Sequence, residues 1–266
     1  MPSPRAARRD RRRPLASLAG VLALGLVLAA AATAKTADEW FADGEFQYAS
    51  GRLPEARAAY ASALEAAPGH FPTLCRLSRT ESELGELQKG DMQRATRAAA
   101  VEHARAAVKA APDSAGGHVW LAVALGRQAL SEGPKTKLAL SREIKSEVDR
   151  ALHLDPANGR AWHVLAMWNV KLAGLNAIER MAANAVLGGV PKGASFEQAE
   201  KAFQKAIALE PEYVNHRHEY GRLLKERGRK AEARAELEKA VALPPTSGAL
   251  DAHYQAEARQ LLTKLK

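Results

Sequence analysis

Five times along this chain an alanine-rich amphipathic run closes on an alanine that stands five residues ahead of a proline, and no other feature of the sequence constrains the fold as tightly. The pairs are Ala63/Pro68, Ala107/Pro112, Ala151/Pro156, Ala206/Pro211 and Ala240/Pro245. Each closes an amphipathic run rich in alanine and leucine, residues that favour helix. The proline ends that helix because it has no N–H to donate and restricts the residue before it. The small alanine, just over a turn earlier, lets a second helix approach closely. Successive prolines lie 44, 44, 55 and 34 residues apart. Spacing of this kind builds a solenoid, in which each helix pair buries its apolar face against the next.

Two units can be read in full. Residues 37–70 carry Trp40, Gly44, Gly51, Ala56, Tyr60, Ala63 and Pro68; residues 214–247 carry Tyr220, Gly221, Leu224, Gly228, Ala233, Leu237, Ala240 and Pro245. This resembles the tetratricopeptide repeat (TPR), a unit of about thirty-four residues. The first three intervals exceed that unit by 10, 10 and 21 residues. The resemblance implies an all-α, TPR-like helical solenoid of about five helix pairs, near 37–70, 71–114, 115–158, 159–213 and 214–247. The middle three repeats carry extra residues between or within their helices. An inserted helix is expected in repeat four, and a capping helix within 248–266, where Leu250–Leu262 has helical spacing. Thr36-x-x-Glu39 and Ser195-x-x-Gln198 read as capping boxes, and Pro54 suits a first turn. Ala56, Ala63, Ala199, Ala206 and Ala233 are expected at buried helix contacts.

The chain holds 47% apolar but only 5% aromatic residues, and strand-forming runs are missing. One cysteine, Cys75, permits no internal disulfide, zinc set or CxxC, and reads as a buried thiol. The net charge of +9 is concentrated at the start: six arginines and one aspartate in residues 1–34 give +5, leaving +4 for the rest. So modest a charge, interleaved with acids, argues against nucleic acid as a partner.

Residues 1–34 read as a signal peptide or signal anchor, and 35–266 as the solenoid domain. A basic stretch to Pro14 precedes an uncharged run from Leu15 to Ala34 that ends in Ala32-Thr33-Ala34, a cleavage pattern. Cleavage there exports the chain, to the periplasm or beyond, with Lys35 first. If uncleaved, the same run can just cross a bilayer of about 30 Å and anchor it. Contact with membrane is expected only through residues 15–34.

The insertion in repeat four has its own pattern. Ile178, Met181, Ala182, Ala185 and Val186 fall on one helical stripe, with Glu179, Arg180 and Asn184 off it. The stripe predicts a helix packed on the solenoid, ended by Gly188-Gly189, with an exposed link from Pro191 to Ala194. It either gates a groove beside Met167 and Lys171 or extends the core.

The same stretch narrows the family. Ile178-Glu179-Arg180-Met181-Ala182, Pro191, Ser195-Phe196-Glu197 and the Ala199–Phe203 helix resemble the regulator of microtubule dynamics family over about residues 100–265. The resemblance implies a solenoid adaptor, membrane-anchored in some animal members and microtubule-associated in others. The A-x-A signal marks this chain as a bacterial-type, exported relative.

Chemistry-bearing patterns are few. Gly188 to Ser195 lacks the Gly-Lys-Ser/Thr order of a phosphate loop and has no strand before it. His216 and His218 are two apart on a helix and cannot share a metal, and His153 and His163 flank a turn; all read as solvated or capping. No nucleophile has a base and orienting acid at hand. The sequence therefore predicts no catalytic, cofactor or metal residues and a protein that is not an enzyme.

Positions 2, 5, 9, 12 and 13 of each first helix are expected to line the concave face. They give Asp38, Phe41, Glu45, Tyr48 and Ala49 in repeat one. Repeat four supplies Arg160, His163, Met167, Val170 and Lys171, and repeat five Asn215, His218, Arg222, Lys225 and Glu226. The candidate groove is Arg160, His163, Met167, Lys171, His218, Arg222 and Lys225, a basic set suited to an extended, acidic protein segment. The lysine–asparagine clamp for a C-terminal carboxylate is absent from repeat one. The expected function is a protein-interaction scaffold; the rivals are a microtubule-binding regulator and an enzyme with an unrecognised site.

Overall fold

The computed structural model describes residues 35–186, 189–244 and 249–265. The leader and its cleavage site lie outside the described residues. Thr36–Lys266 forms one compact unit.

Twelve helices make up the described residues, with no strand among them. They are α1 (Ala37–Ala49), α2 (Leu53–Ala66), α3 (Phe71–Leu87), α4 (Gly90–Ala110), α5 (Ala115–Ala129) and α6 (Pro134–Leu154). α7 (Gly159–Ala173), α8 (Ala177–Val186), α9 (Phe196–Leu209), α10 (Val214–Glu226), α11 (Lys230–Ala242) and α12 (Asp251–Thr263) follow. The pairs α1/α2, α3/α4, α5/α6, α7/α9 and α10/α11 pack as antiparallel hairpins. α8 is the inserted helix and α12 the cap, so the TPR-like solenoid of five pairs is the architecture observed. The extra residues of repeats two and three sit inside helices: α3 has 17 residues and α4 and α6 have 21 each, against 13 and 14 in α1 and α2.

The recurring alanines explain the packing. Ala63, Ala107, Ala151, Ala206 and Ala240 are all 1% exposed or less, as are Ala56, Ala199 and Ala233. The first four of these also receive the closing hydrogen bond of their helix: Ala67, Ala111, Asp155 and Glu210 donate N–H to Ala63, Ala107, Ala151 and Ala206 at 2.8–3.0 Å. Each of those four acceptor-to-proline steps then turns in four residues, for the N–H three residues on returns to the capping residue's carbonyl, as His70 does to Ala67 at 3.2 Å. Proline second in the turn presets φ for it. Large rings fill the space that small residues leave. Tyr60 and Phe203 are fully buried, and the Tyr60 ring lies so close to Gly44 that a Cβ there would collide with it.

Thr36 and Glu39 form the expected capping box, and Ser195 accepts from Gln198 N–H at 3.1 Å. Cys75 is buried, and burial pushes its thiol up to about 11.

The insertion departs from expectation. α8 forms, opened by Asn176 and Glu179, each accepting the other's backbone N–H at 2.9 Å. Its apolar stripe does not pack on the solenoid: Ile178 and Met181 are 74% and 67% exposed, and Ala182 and Ala185 are exposed too. The opposite side, with Ala183, faces inward. Polar mounting decides this. Arg180 donates to the Leu172 carbonyl at 3.0 Å, and Arg142 of α6 to the Gly189 carbonyl at 2.8 Å. α8 therefore does not extend the core through its stripe.

Candidate interaction face

First helices of neighbouring repeats touch: α3 packs on α5 and α5 on α7. No successive pair of second helices does so to the same extent, so curvature places the first helices on the inner side. Along that side the first helices of repeats one to four and the residue that caps α10 contribute to a single stack. The Arg79 guanidinium lies 4.2 Å from the Tyr48 ring centre and 5.6 Å from the Trp120 ring; Arg160 lies 5.6 Å from Trp120 and 4.1 Å from Tyr213. Tyr48, Arg79, Trp120, Arg160 and Tyr213 thus alternate ring and cation from α1 to the start of α10, each within cation–π range. Arg79 is buried, while Trp120, Arg160 and Tyr213 are half-buried and open to the inner surface.

Carboxylates hold the cations in place. Glu83 meets Arg79 at 3.2 Å and accepts the Tyr48 hydroxyl at 2.6 Å. Arg127 of α5 pairs with Glu86 at 2.7 Å and donates to the Tyr254 hydroxyl of α12 at 3.1 Å. Arg160 pairs with Glu210 at 3.5 Å.

Beside Arg160 the histidines converge. His163 Nδ1 and His216 Nδ1 are 3.0 Å apart and share a hydrogen bond, their rings stacked at 4.9 Å. His218 stacks on Tyr254 at 5.5 Å. His216 and His218 are almost wholly buried, which corrects the reading of these imidazoles as solvated. Burial draws His163 well below the ordinary imidazole range, and repulsion from His216, Arg127, Arg160 and His218 adds to it. Burial also lowers His216, offset in part by Glu210, and His218, offset by Glu219 and Glu257. The group is held neutral.

Of the candidate groove residues, Arg160 joins the stack and His163 lies beside it, while His218 is buried against Tyr254 of α12. Met167 packs partly buried against the C-terminal core, and Lys171 is exposed at the end of α7. Arg222 pairs with Glu219 at 3.0 Å, and Lys225 sits half-buried near the end of α10. These last do not join the stack. The positional rule carried to repeats two and three lands on Arg79 (ninth) and Arg127 (thirteenth); Trp120, at the sixth position, escapes it.

A stacked array of antiparallel helix pairs with small residues at each contact defines a TPR-type solenoid. Its likeness to a solved thermophilic TPR protein of Thermus thermophilus is at the level of the fold: TM-score 0.62 at 22% identity, covering 85% of this chain and all of the other. The model of the family described as regulator of microtubule dynamics protein 1-3 matches residues 33–266, and the chain belongs to that family. Regulator of microtubule dynamics protein 3 of Rattus norvegicus is 30% identical over 190 residues, 71% of this chain and 40% of the rat protein. Regulator of microtubule dynamics protein 1 of Mus musculus is 27% identical over 237 residues, 88% of this chain and 76% of its own length. The chain spans about two fifths of the length of the first curated relatives it matches.

Proposed function

We propose that this protein is a non-catalytic scaffold, exported or anchored by its first 34 residues, that holds an extended acidic segment of a partner protein on its inner face. The observation that carries the reading is the stack Trp120–Arg160–Tyr213. It presents a guanidinium between two half-buried rings on the inner side, with Glu210 as its ion-pair partner. A partner carboxylate can exchange with Glu210 there and form the charge-assisted, forked contact that arginine favours. The flanking rings supply apolar area at little entropic cost.

The test is site-directed photocrosslinking in cells, with the crosslinker at Met167 on the inner side and at Glu102 on an outer helix. A partner trapped from 167, not from 102, and lost in Arg160→Ala/Tyr213→Ala supports the reading. Equal yield from both positions contradicts it.

The family's name favours a second reading, binding to microtubules. Co-sedimentation of the full chain with polymerised tubulin, unaffected by the same double substitution, would favour that reading over an inner-face segment.

A further inference from the structure

Charge and exposed apolar side chains are sorted by edge in this solenoid. Because helices alternate in direction, connections within repeats fall on one edge and connections between repeats on the other. The within-repeat connections, α8 included, carry Arg52, Lys89, Arg180, Lys192, Arg227 and Arg229 against Glu132 and Glu179. The between-repeat connections carry Asp113, Asp155, Glu210 and Glu212 and no lysine or arginine. The large apolar side chains that stand exposed among the described residues, Phe46, Leu87, Met92, Leu130, Ile178 and Met181, all lie in or beside the basic edge.

We propose that this edge, from the α3–α4 turn to α8, docks on the surface of an anionic lipid bilayer. α8 is fixed through its polar side and turns Ile178 and Met181 outward. Met92 and Leu130 stand out at the two preceding turns, with Lys89, Lys135 and Lys137 exposed around them. A tight protein interface is built around a buried apolar core. Here the apolar tips are separate, with Lys89, Lys135, Lys137, Arg180 and Lys192 outnumbering the nearby Asp91, Glu132 and Glu179, which suits a headgroup layer: single side chains reach the acyl boundary while the cations meet phosphates. The acidic opposite edge is repelled by the same surface, so charge alone orients the solenoid. None of these residues belongs to the inner-face stack.

Residues 15–34 can bind lipid on their own account, so the test must read the edge itself. A polarity-sensitive fluorophore on Met181→Cys in the full chain, where native Cys75 is buried, is mixed with phosphatidylcholine vesicles with and without phosphatidylglycerol. A quencher is carried on the lipid chains. The expected result is loss of most emission with phosphatidylglycerol present, little loss without it, and restored emission in Lys135→Glu/Lys137→Glu. A label at Asp113→Cys, on the acidic edge, should stay bright throughout. Unchanged emission at 181, equal quenching at 113, or lipid-independent protection that grows with protein concentration (a second copy or another protein covering α8) overturns the proposal.

Discussion

The hydroxyl of Tyr48, in the first helix, accepts the backbone N–H of Ala249, 201 residues later, at 3.3 Å, while its own proton goes to Glu83 at 2.6 Å. The first repeat and the approach to the capping helix therefore meet, and Leu53 shares one buried core with Val214, Leu250 and Tyr254. The solenoid closes on itself rather than ending as an open arc.

Removing that hydroxyl should loosen the closure. Tyr48→Phe leaves Glu83 without one donor and Ala249 without its acceptor, a cost of about 1–3 kcal/mol for groups so enclosed. Amide exchange should quicken in residues 249–258 more than in α5 or α6. Uniform exchange in variant and parent would show that the contact carries no such role.

Close packing gives the second prediction. A Cβ on Gly221 would stand 2.7 Å from Leu237 Cγ and 2.9 Å from its Cδ2, with the Ala233 carbonyl behind. Gly221→Ala, and leucine at Ala56, Ala63, Ala199, Ala206 or Ala233, should each destabilise by about 1–3 kcal/mol through overpacking. Thermal unfolding of the set checks this, and melting indistinguishable from the parent would contradict the repeat packing.

The neutral histidine group sets a pH dependence. In the unfolded chain imidazole titrates near about 6.5, whereas His163, His216 and His218 are depressed in the fold. Below that value the unfolded chain takes up protons that the folded chain refuses, so their contribution is full above it and lost as pH falls. His163→Gln keeps a polar ring-sized side chain but cannot charge. Urea unfolding across mildly acidic pH should show the parent losing more stability than the variant. Parallel losses would mean that carboxylates such as Glu210 govern the dependence.

What the sequence disclosed and what it hid differ in kind. The alanine–proline phrase is local, because the same residue supplies both the small contact and the last helical carbonyl, so pattern alone located the pairs. α8 was legible as a helix but not in its direction. A stripe says which residues share a face, while Arg180 and Arg142, reaching backbone carbonyls of other segments, decide which face turns inward. α3 misled hydropathy in the opposite sense. Glu81 is wholly buried in it, held by Arg57 at 2.9 Å and His103 at 2.7 Å from two other helices. The stack on the inner face was half visible: Arg160 followed from its repeat position, but its ring partners, Trp120 in α5 and Tyr213 at the cap of α10, come from other helices, which no local reading joins.

The central claim is that a partner segment lies on the Trp120–Arg160–Tyr213 stack. Once photocrosslinking has named the partner, the most direct measurement is its affinity for the parent, for Arg160→Ala and for Arg160→Lys. Lysine keeps the charge but loses the planar fork, so both variants should weaken binding at least about tenfold, the loss of one charged hydrogen bond. The Lys171→Ala variant, altered at an exposed residue outside the stack, should bind as the parent does. Binding that survives Arg160→Ala unchanged, or falls only with Lys171→Ala, would contradict the account.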